Sequence, residues 1–224
     1  MEYLQTLKEI FIEGNRYNYI LQGLSFSMGV TLFSAILGVV VGVVLALMRL
    51  SKMKFVNWIA LAYIDIIRGT PAVVQLMILA NLIFVGALRN TPIFVVAGIA
   101  FGFNSGAYVA EIVRAGIESL DRGQMEAARA LGMNYVQAMR EIIIPQAIKK
   151  ILPALVSEFI TLLKETSIVG FIGGVDLLRS ANIITSQTYR GVEPLLAVGL
   201  IYLILTSIFT KVMRRVEGGL KAYD

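Results

Sequence analysis

The sequence contains no cysteine and no histidine, and only five prolines and one tryptophan among its 224 residues. Without cysteine the protein forms no disulfide and has no thiol nucleophile, and without histidine it lacks the side chain that most readily acts as an acid or a base near neutral pH. Zinc and copper sites of the usual kind also need these residues. We therefore expect neither catalytic residues nor metal ligands in this chain.

Charged residues are scarce as well. They make up 16% of the sequence, whereas about a quarter of a soluble domain is charged. Hydrophobic residues make up 57% of the chain, and the mean hydropathy is +0.77. Four stretches without charge are each close to or above the length that crosses about 30 Å of hydrocarbon; they are 17–48, 69–88, 90–110 and 194–210. The sequence therefore predicts an integral membrane protein.

The apolar stretches predict an all-α, polytopic fold with five transmembrane helices in a single domain over residues 1–224. The predicted spans are 20–48, 57–86, 92–112, 151–170 and 194–212. No signal peptide is expected, because the first apolar run is too long and has no clear cleavage site. The lipid bilayer is the predicted surrounding, and no nucleic acid is expected to bind, because the basic residues collect beside the ends of the apolar segments.

The basic residues also predict the orientation in the membrane. Thirteen of them lie on one side of the predicted spans and six on the other, with Arg68 left inside the second span. Because basic residues collect on the cytoplasmic side, we expect the N-terminus outside and the C-terminus in the cytoplasm. The predicted location is the bacterial inner membrane.

The loop between the third and fourth predicted spans carries a segment that looks soluble, residues 122–147. Its run EAARALG predicts a helix that Gly132 closes as a C-cap, and its run VQAMREIII predicts a second helix that ends near Pro145. Composition alone leaves two alternatives open. The segment either docks a partner or lies on the membrane as a solvated helix.

This segment resembles the EAA motif of ATP-binding-cassette (ABC) importer permeases, E-A-A-x3-G-x9-I-x-L-P. The matching residues are Glu126, Ala127, Ala128, Gly132, Ile142 and Pro145, and Ile144 replaces the leucine before the proline. Three further stretches resemble the polar amino acid branch of that family, which imports amino acids such as histidine, glutamine and arginine. They are YIDIIRGTPAVVQL at 63–76, SGAYVAEIVRAGI at 105–117 and LLKETSIVGFIGGVDLL at 162–178.

The resemblance implies a type I ABC importer permease fold with a cytoplasmic coupling helix. It implies three kinds of partner: a second permease in a homodimer or heterodimer, two cytoplasmic ATPase subunits, and an extracytoplasmic amino acid binding protein. It assigns coupling to the ATPase to Glu126, Ala127, Ala128, Leu131, Gly132 and Met133. Glu126 either pairs with a basic residue of the ATPase or caps its own helix. The chain has no GxxxxGK[ST] loop, so ATP and Mg are expected on the ATPase, with no cofactor here.

Ionisable residues inside the predicted spans are costly, at about 2.5 to 3.5 kcal/mol each on insertion scales, and usually face a partner or a watery cavity. The spacing of Asp65 and Arg68 predicts an ion pair within one helical turn, and Glu111 and Arg114 repeat that spacing. Glu158 lies near the predicted midplane and has no basic residue one turn away. A structural pair with Arg68 and contact with a cationic substrate are its two alternatives.

Other polar residues are candidates to line a pathway with Glu158. Around Pro71 the chain either forms an ordinary proline kink or begins a new half-helix that Thr70 caps, with free N–H groups for a carboxylate. In the third predicted span, Asn104 and Ser105 provide either polar contacts or only close helix packing. The candidate substrate-binding residues are Glu158, Thr70, Asn104, Ser105, Asp65 and Thr161.

The predicted function is that of the transmembrane permease subunit of an ATP-driven importer. A basic amino acid (arginine, lysine or histidine) is favoured as the substrate, and glutamine or another polar amino acid is the alternative. A secondary transporter or channel fits less well, because the sequence shows no internal repeat. An intramembrane enzyme is the third class considered, and the sequence contains no nucleophile–base constellation that would support it.

Overall fold

A computed structural model describes residues 2–85 and 89–221, and all regular structure in that part of the chain is helical, which confirms the predicted all-α class. The helices are α1 Glu2–Phe11, α2 Tyr17–Arg49, α3 Lys54–Arg68, α4 Ala72–Val85, α5 Ile93–Glu118, α6 Arg122–Ala130, α7 Tyr135–Ala138, α8 Ile144–Glu165, α9 Leu177–Thr188 and α10 Val192–Lys221. Short 3-10 helices occupy Glu13–Asn15 and Thr166–Ile172, and a π-helical turn occupies Met139–Ile143.

Three helical segments are long and apolar enough to cross a membrane, and they correspond to the first, third and fifth predicted spans. They are Glu13–Arg49, which contains α2, Ile93–Glu118, which is α5, and Val192–Arg215 within α10. The second predicted span, 57–86, is not one helix. The helix α3 meets the segment Ala72–Ile83 of α4 at an angle of 105°, and residue 86 lies outside the described residues. The bent pair adds a fourth crossing if it is counted as one span.

The fourth predicted span, 151–170, corresponds to α8 and the 3-10 helix that follows it. The helix α8 has 22 residues, and at 1.5 Å per residue it is about 33 Å long. It is less apolar than the three strong spans, because it contains lysines and glutamates such as Lys150, Glu158 and Lys164. Its passage across the bilayer, and with it the count of five transmembrane helices, stays a prediction.

The second helix predicted in the loop does not end near Pro145, so that boundary was wrong. The α7 helix, the π turn and α8 follow one another without a break. Within the π turn, the Ile144 N–H donates to the Met139 carbonyl. Pro145 directly follows this π turn, as the second residue of α8, and does not interrupt the helix. The chain therefore continues from the coupling region directly into α8.

Closely packed α2 and α5 form the centre of the bundle. Three glycines of α5 face three larger residues of α2, and a Cβ on any of these glycines would lie between 2.3 and 2.7 Å from the opposing side chain. The pairs are Gly98 with Phe33, Gly102 with Leu37, and Gly106 with Val41. Small residues spaced four apart allow helices to approach closely in membranes. Because the residue numbers of the pairs increase in the same direction along both helices, α2 and α5 are parallel.

Two of the other helices, α9 and α6, mark the two ends of this pair. The helix α9 packs on the beginning of α2, where the Ser180 hydroxyl donates to the Tyr19 carbonyl at 2.7 Å. Asp176 starts α9, and its buried carboxylate accepts the N–H groups of Leu178 and Arg179. The short helix α6 follows the C-terminal end of α5, so α6 and α9 lie at opposite ends of the bundle.

Candidate functional site

A serine and a glutamate meet halfway along α5, between α5 and α8. Ser105, which is 1% exposed, donates its hydroxyl to Glu158 Oε1 at 2.8 Å. Gly38 of α2 leaves the space for this serine, since a Cβ there would lie 3.0 Å from the Ser105 hydroxyl. Within the described residues, Glu158 forms no ion pair. The alternative in which Arg68 pairs with Glu158 is therefore wrong.

Arg68 instead lies beside Glu111 and Tyr108. Its guanidinium is 3.9 Å from Glu111 Oε2 and 5.5 Å from the centroid of the Tyr108 ring, a distance at which a cation and an aromatic face attract each other. The predicted pair of Asp65 with Arg68 is wrong, because Asp65 is exposed and forms no ion pair with any described residue. The predicted pair of Glu111 with Arg114 is confirmed at 2.8 Å.

A groove of about 510 Å³ extends along α5 and α8 from Glu158 to Lys150, towards the end that carries α6. Its volume is within the range of small-molecule sites. The groove contains two basic residues, Arg68 and Lys150, and two carboxylates, Glu111 and Glu158. Arg68, Tyr108 and Lys150 were absent from the predicted substrate-binding set. For Arg68 the sequence did contain a signal: this basic residue lies near the middle of a predicted span and directly precedes an uncharged run.

The break between α3 and α4 contains Thr70 and Pro71. The first hydrogen bonds of α4 run from the Val74 and Gln75 N–H groups to the Pro71 carbonyl, so a new helix begins here, as one of the two alternatives predicted. Thr70 does not cap it: within the described residues its hydroxyl donates to the Ile66 carbonyl at 2.9 Å and accepts from the Gln75 side chain, and it accepts no backbone N–H of α4. The ordinary proline kink is also wrong, since the two helices meet at 105°.

Gln75 connects this break to α5. Its Nε2 donates to the Ile67 carbonyl at 2.7 Å and to Thr70 Oγ1 at 2.7 Å. Its Oε1 accepts a hydrogen bond from Asn104 Nδ2 at 2.9 Å. Thr70 and Asn104 are thus brought together through a residue that the sequence reasoning missed. The signal for it was a glutamine four positions after a proline within an uncharged stretch.

Two predicted residues stand apart from these contacts. The Thr161 hydroxyl donates to the Ser157 carbonyl of its own helix at 3.1 Å. Asp65 lies on the exposed side of α3. In the described part of the chain, neither residue forms a hydrogen bond with Ser105 or Glu158. Their substrate-binding roles stay predictions without support from these contacts.

The predicted coupling segment is a short helix with a defined start. The helix α6 begins at Arg122, and the Asp121 side chain caps it by accepting the Gly123 N–H at 2.9 Å. Glu126 lies in the interior of the helix and is exposed, so the alternative in which Glu126 caps the helix is wrong. Ala127 is also exposed, whereas Ala128 is buried.

The end of α6 confirms Gly132 as the C-cap glycine. Gly132 has φ +88°, a conformation that side chains other than glycine rarely adopt. The N–H groups of Gly132 and Met133 donate to the Arg129 and Ala128 carbonyls, the two bonds that define a Schellman motif. Leu131 is left 83% exposed. The segment therefore presents an apolar side chain on a rigid turn.

A helical bundle with segments long and apolar enough to span a membrane, a broken helix packed against α5 and a carboxylate beside a groove are features expected of a membrane transport subunit. Comparison with known proteins identifies the family. Residues 38–221 match the family described as binding-protein-dependent transport system inner membrane component, and the chain belongs to this family.

Relatives in this family are permeases of amino acid transport systems. The chain is 43% identical over 210 residues to the arginine transport system permease protein ArtQ of Bacillus subtilis, covering 92% of this chain and 94% of the relative. It is 37% identical over 201 residues to a Rickettsia bellii protein assigned as a glutamine transport system permease, covering 89% and 91%. It is 36% identical over 196 residues to the glutamate/aspartate import permease protein GltK of Escherichia coli, covering 84% and 87%.

Solved structures agree with this assignment. A crystal structure of an amino acid ABC transporter with histidines superposes with a TM-score of 0.84 at 45% identity, covering 92% of this chain and 97% of that chain. An inward-facing structure of the MetNI methionine ABC transporter superposes with a TM-score of 0.76 at 20% identity, covering 90% and 96%; this second likeness concerns the fold alone. By its family, the protein is an inner membrane component of a binding-protein-dependent transport system, and the relatives named above are amino acid permeases.

Proposed function

We propose that this permease carries a basic amino acid and that Glu158 binds the positive side chain of the substrate as it passes. The observation that supports this proposal is the position of the Glu158 carboxylate, which is partly buried beside the groove. The Ser105 hydroxyl donates a hydrogen bond to it, and no basic residue among the described ones pairs with it. A charge in a membrane interior is costly unless a counter-charge or water reaches it. A guanidinium or an ammonium group of a substrate would supply that counter-charge.

The same groove contains a candidate binding site for the substrate carboxylate, at Arg68. Arg68 lines the groove, and its contact with Glu111 is loose at 3.9 Å, whereas Glu111 bonds closely to Arg114 at 2.8 Å. The Arg68 side chain is 45% exposed, so it is accessible to a second carboxylate. Lys150 lies further along the groove. We infer that a zwitterionic substrate lies with its side chain towards Glu158 and its carboxylate towards Arg68, close to Thr70.

Two comparisons support a basic substrate. The relative with 43% identity is named as an arginine permease, and the superposed crystal structure is described as holding histidines. Glutamine remains the second candidate, because a relative of 37% identity is assigned to glutamine transport. A glutamine substrate would place only its α-ammonium group within reach of a carboxylate.

The test is equilibrium binding of arginine and glutamine to the purified transporter with the substitution Glu158→Gln. We expect arginine affinity to fall at least tenfold, about 1.4 kcal/mol, the low end for losing a hydrogen bond to a charged group. Glutamine affinity should change less. Glu9→Gln, at an exposed position of α1, is the matched control. Unchanged arginine affinity in Glu158→Gln would show that the substrate site lies elsewhere.

The family and two exposed surfaces, on α6 and on α10, suggest which proteins the permease binds. We propose that α6 docks on a cytoplasmic ATPase that binds ATP and Mg, with exposed Leu131 entering its surface. Each transporter would contain two such ATPases. The helix α10 has only 6% of its apolar window buried, and we propose that lipid and a second permease cover it. An extracytoplasmic binding protein would deliver the substrate at the α9 end.

The proposed orientation places the α6 end in the cytoplasm and the α9 end outside. Because the natural chain has no cysteine, single cysteines give an unambiguous test. Tyr189, which is 94% exposed in the turn after α9, should be labelled from outside intact cells as Tyr189→Cys. Lys52, in the turn between α2 and α3, should be protected as Lys52→Cys. Labelling of position 52 and protection of position 189 would reverse the orientation.

A further inference from the structure

We propose that Gln75 is a positioning residue for transport: it holds the break between α3 and α4 in its bent form and ties that break to the segment of α5 that holds Glu158. The proposal needs the membership of this chain in the permease family and does not depend on which amino acid is carried. It concerns a residue that makes polar contacts on both sides of the break and with a third helix.

Pro71 leaves a backbone carbonyl of α3 without its usual helical donor, and Gln75 supplies one. In an uninterrupted helix the N–H of residue 71 would donate to the carbonyl of Ile67, but proline has no N–H. The Gln75 side chain replaces that missing donor, since its Nε2 lies 2.7 Å from the Ile67 carbonyl oxygen. A carbonyl left unpaired in a membrane interior is costly. Gln75 therefore satisfies the group that the break would otherwise leave without a partner.

Helix geometry explains why a residue four positions after the proline is suited to this task. Side chains of a helix point back towards its N-terminus, and Gln75 lies in the first turn of α4, where its backbone N–H donates to the Pro71 carbonyl at 3.2 Å. The side chain consequently reaches over the break to the end of α3. It contacts the Thr70 carbonyl at 3.1 Å and the Thr70 hydroxyl at 2.7 Å.

The other end of the Gln75 amide is held by α5. Asn104 Nδ2 donates to Gln75 Oε1 at 2.9 Å, and Asn104 is only 4% exposed. A flipped Gln75 amide would direct its oxygen at the Ile67 carbonyl oxygen, which can only accept, so the contact with Ile67 fixes the orientation of the amide. The next residue, Ser105, donates to Glu158. Two consecutive residues of α5 thus contact the break on one side and the Glu158 carboxylate on the other, and a shift of α5 moves both.

The test measures transport by the complete transporter in proteoliposomes, with arginine and with glutamine as substrates. Gln75→Met keeps the length of the side chain and removes its hydrogen bonds. We expect the maximal rate of the substrate carried by the wild type to fall at least tenfold, while the concentration for half-maximal rate changes less than threefold. Gln22→Met, at an exposed position of α2, is the control and should transport normally.

Two results for Gln75→Met would overturn the proposal. A maximal rate within twofold of the wild type would show that the contacts are dispensable. A rise in the half-maximal concentration in proportion to the loss of rate would show that Gln75 binds the substrate directly. Because these results are read as ratios to the wild type for whichever substrate is carried, they are separate from the outcome of Glu158→Gln.

Gln75→Glu provides an independent measurement if Gln75→Met does not assemble. A protonated glutamic acid can still donate to the Ile67 carbonyl and accept from Asn104, whereas the carboxylate only accepts. The maximal rate of Gln75→Glu, divided by that of the wild type at the same pH, should therefore be at least threefold higher at pH 6 than at pH 8. An equal ratio at both values of pH would contradict a donor role for this side chain.

Discussion

The two sides of α5 make different kinds of contact, apolar packing on one side and hydrogen bonds on the other. Towards α2, the helix presents glycines that receive Phe33, Leu37 and Val41, and the interface is formed by close apolar packing. Towards α8 and the break, it presents Asn104 and Ser105, which form hydrogen bonds to side chains of other elements. The first side fixes the helix in place through many small contacts. The second holds a few polar groups that a substrate or a conformational change can exchange for others.

The difference indicates which side should tolerate movement. Apolar packing at this spacing has one good register, because each larger residue occupies the space above one glycine. Hydrogen bonds between membrane helices contribute modestly, about 0.6 kcal/mol on average, so partners on the polar side exchange at low cost. We therefore expect α2 and α5 to move as one body together with the break that Gln75 ties to α5, and the contact of Ser105 with Glu158 of α8 to change during transport.

Substitution on the glycine side should have the largest effect on stability. In Gly102→Val, the new side chain would meet Leu37, whose nearest atom lies 2.6 Å from the position of the added Cβ. Overpacking of this kind costs about 1 to 3 kcal/mol, and we expect a lower midpoint of thermal unfolding in detergent. Gly191→Val, in the turn before α10, is the control, because a Cβ at position 191 would lie 3.6 Å from the Thr185 side chain, an ordinary contact distance. Equal midpoints for the two variants would contradict the rigid interface.

Gly132 lies outside this interface and is needed for its backbone conformation, whereas the glycines of α5 are needed for the space that they leave. Gly132 has open space around it but a φ of +88°, which costs about 1 to 2 kcal/mol for most side chains. Gly132→Val should insert normally yet reduce transport and ATPase stimulation. Gly132→Asn, which tolerates this conformation better, should keep more activity. If both variants behave alike, the turn at the end of α6 is not what limits coupling.

Removal of the Ser105 hydroxyl should have the smallest effect of these three changes. Ser105→Ala removes the hydroxyl that donates to Glu158 and leaves the carboxylate in place. At about 0.6 kcal/mol for an interhelical hydrogen bond, we expect arginine affinity to fall about threefold, measured by equilibrium binding. The thermal midpoint should change less than in Gly102→Val. A loss of stability as large as that of the valine variant would remove the distinction between the two sides of α5.

The sequence predicted the apolar parts of the fold better than the polar ones. The helices α2, α5 and α10 follow from long uncharged runs, which fix a membrane span almost independently of neighbours. The signal Gly69-Thr70-Pro71 predicted a break but not an angle of 105°, since the angle depends on how α4 packs against α5. Pro145 was read as a helix end, although the chain passes from a π turn into α8 at this proline and stays helical.

The candidate site shows the same limit. Glu158 was recognisable because no basic residue lies one turn away on its own helix. The partners of Arg68 were not recognisable, because Glu111 and Tyr108 belong to α5 and only the fold brings them close. The glutamine at position 75 looked like one polar residue in an apolar helix, and its contacts across the break became evident only from its position relative to Pro71 and Asn104.

Recognition of a positive side chain by Glu158 is tested most directly by a comparison of arginine with citrulline. Citrulline replaces the guanidinium by a neutral urea group of similar shape, so the ratio of the two affinities isolates the charge. In the wild-type transporter, arginine should bind at least tenfold more tightly than citrulline, about 1.4 kcal/mol. In Glu158→Gln the ratio should fall below threefold. An unchanged ratio in the variant would contradict this recognition.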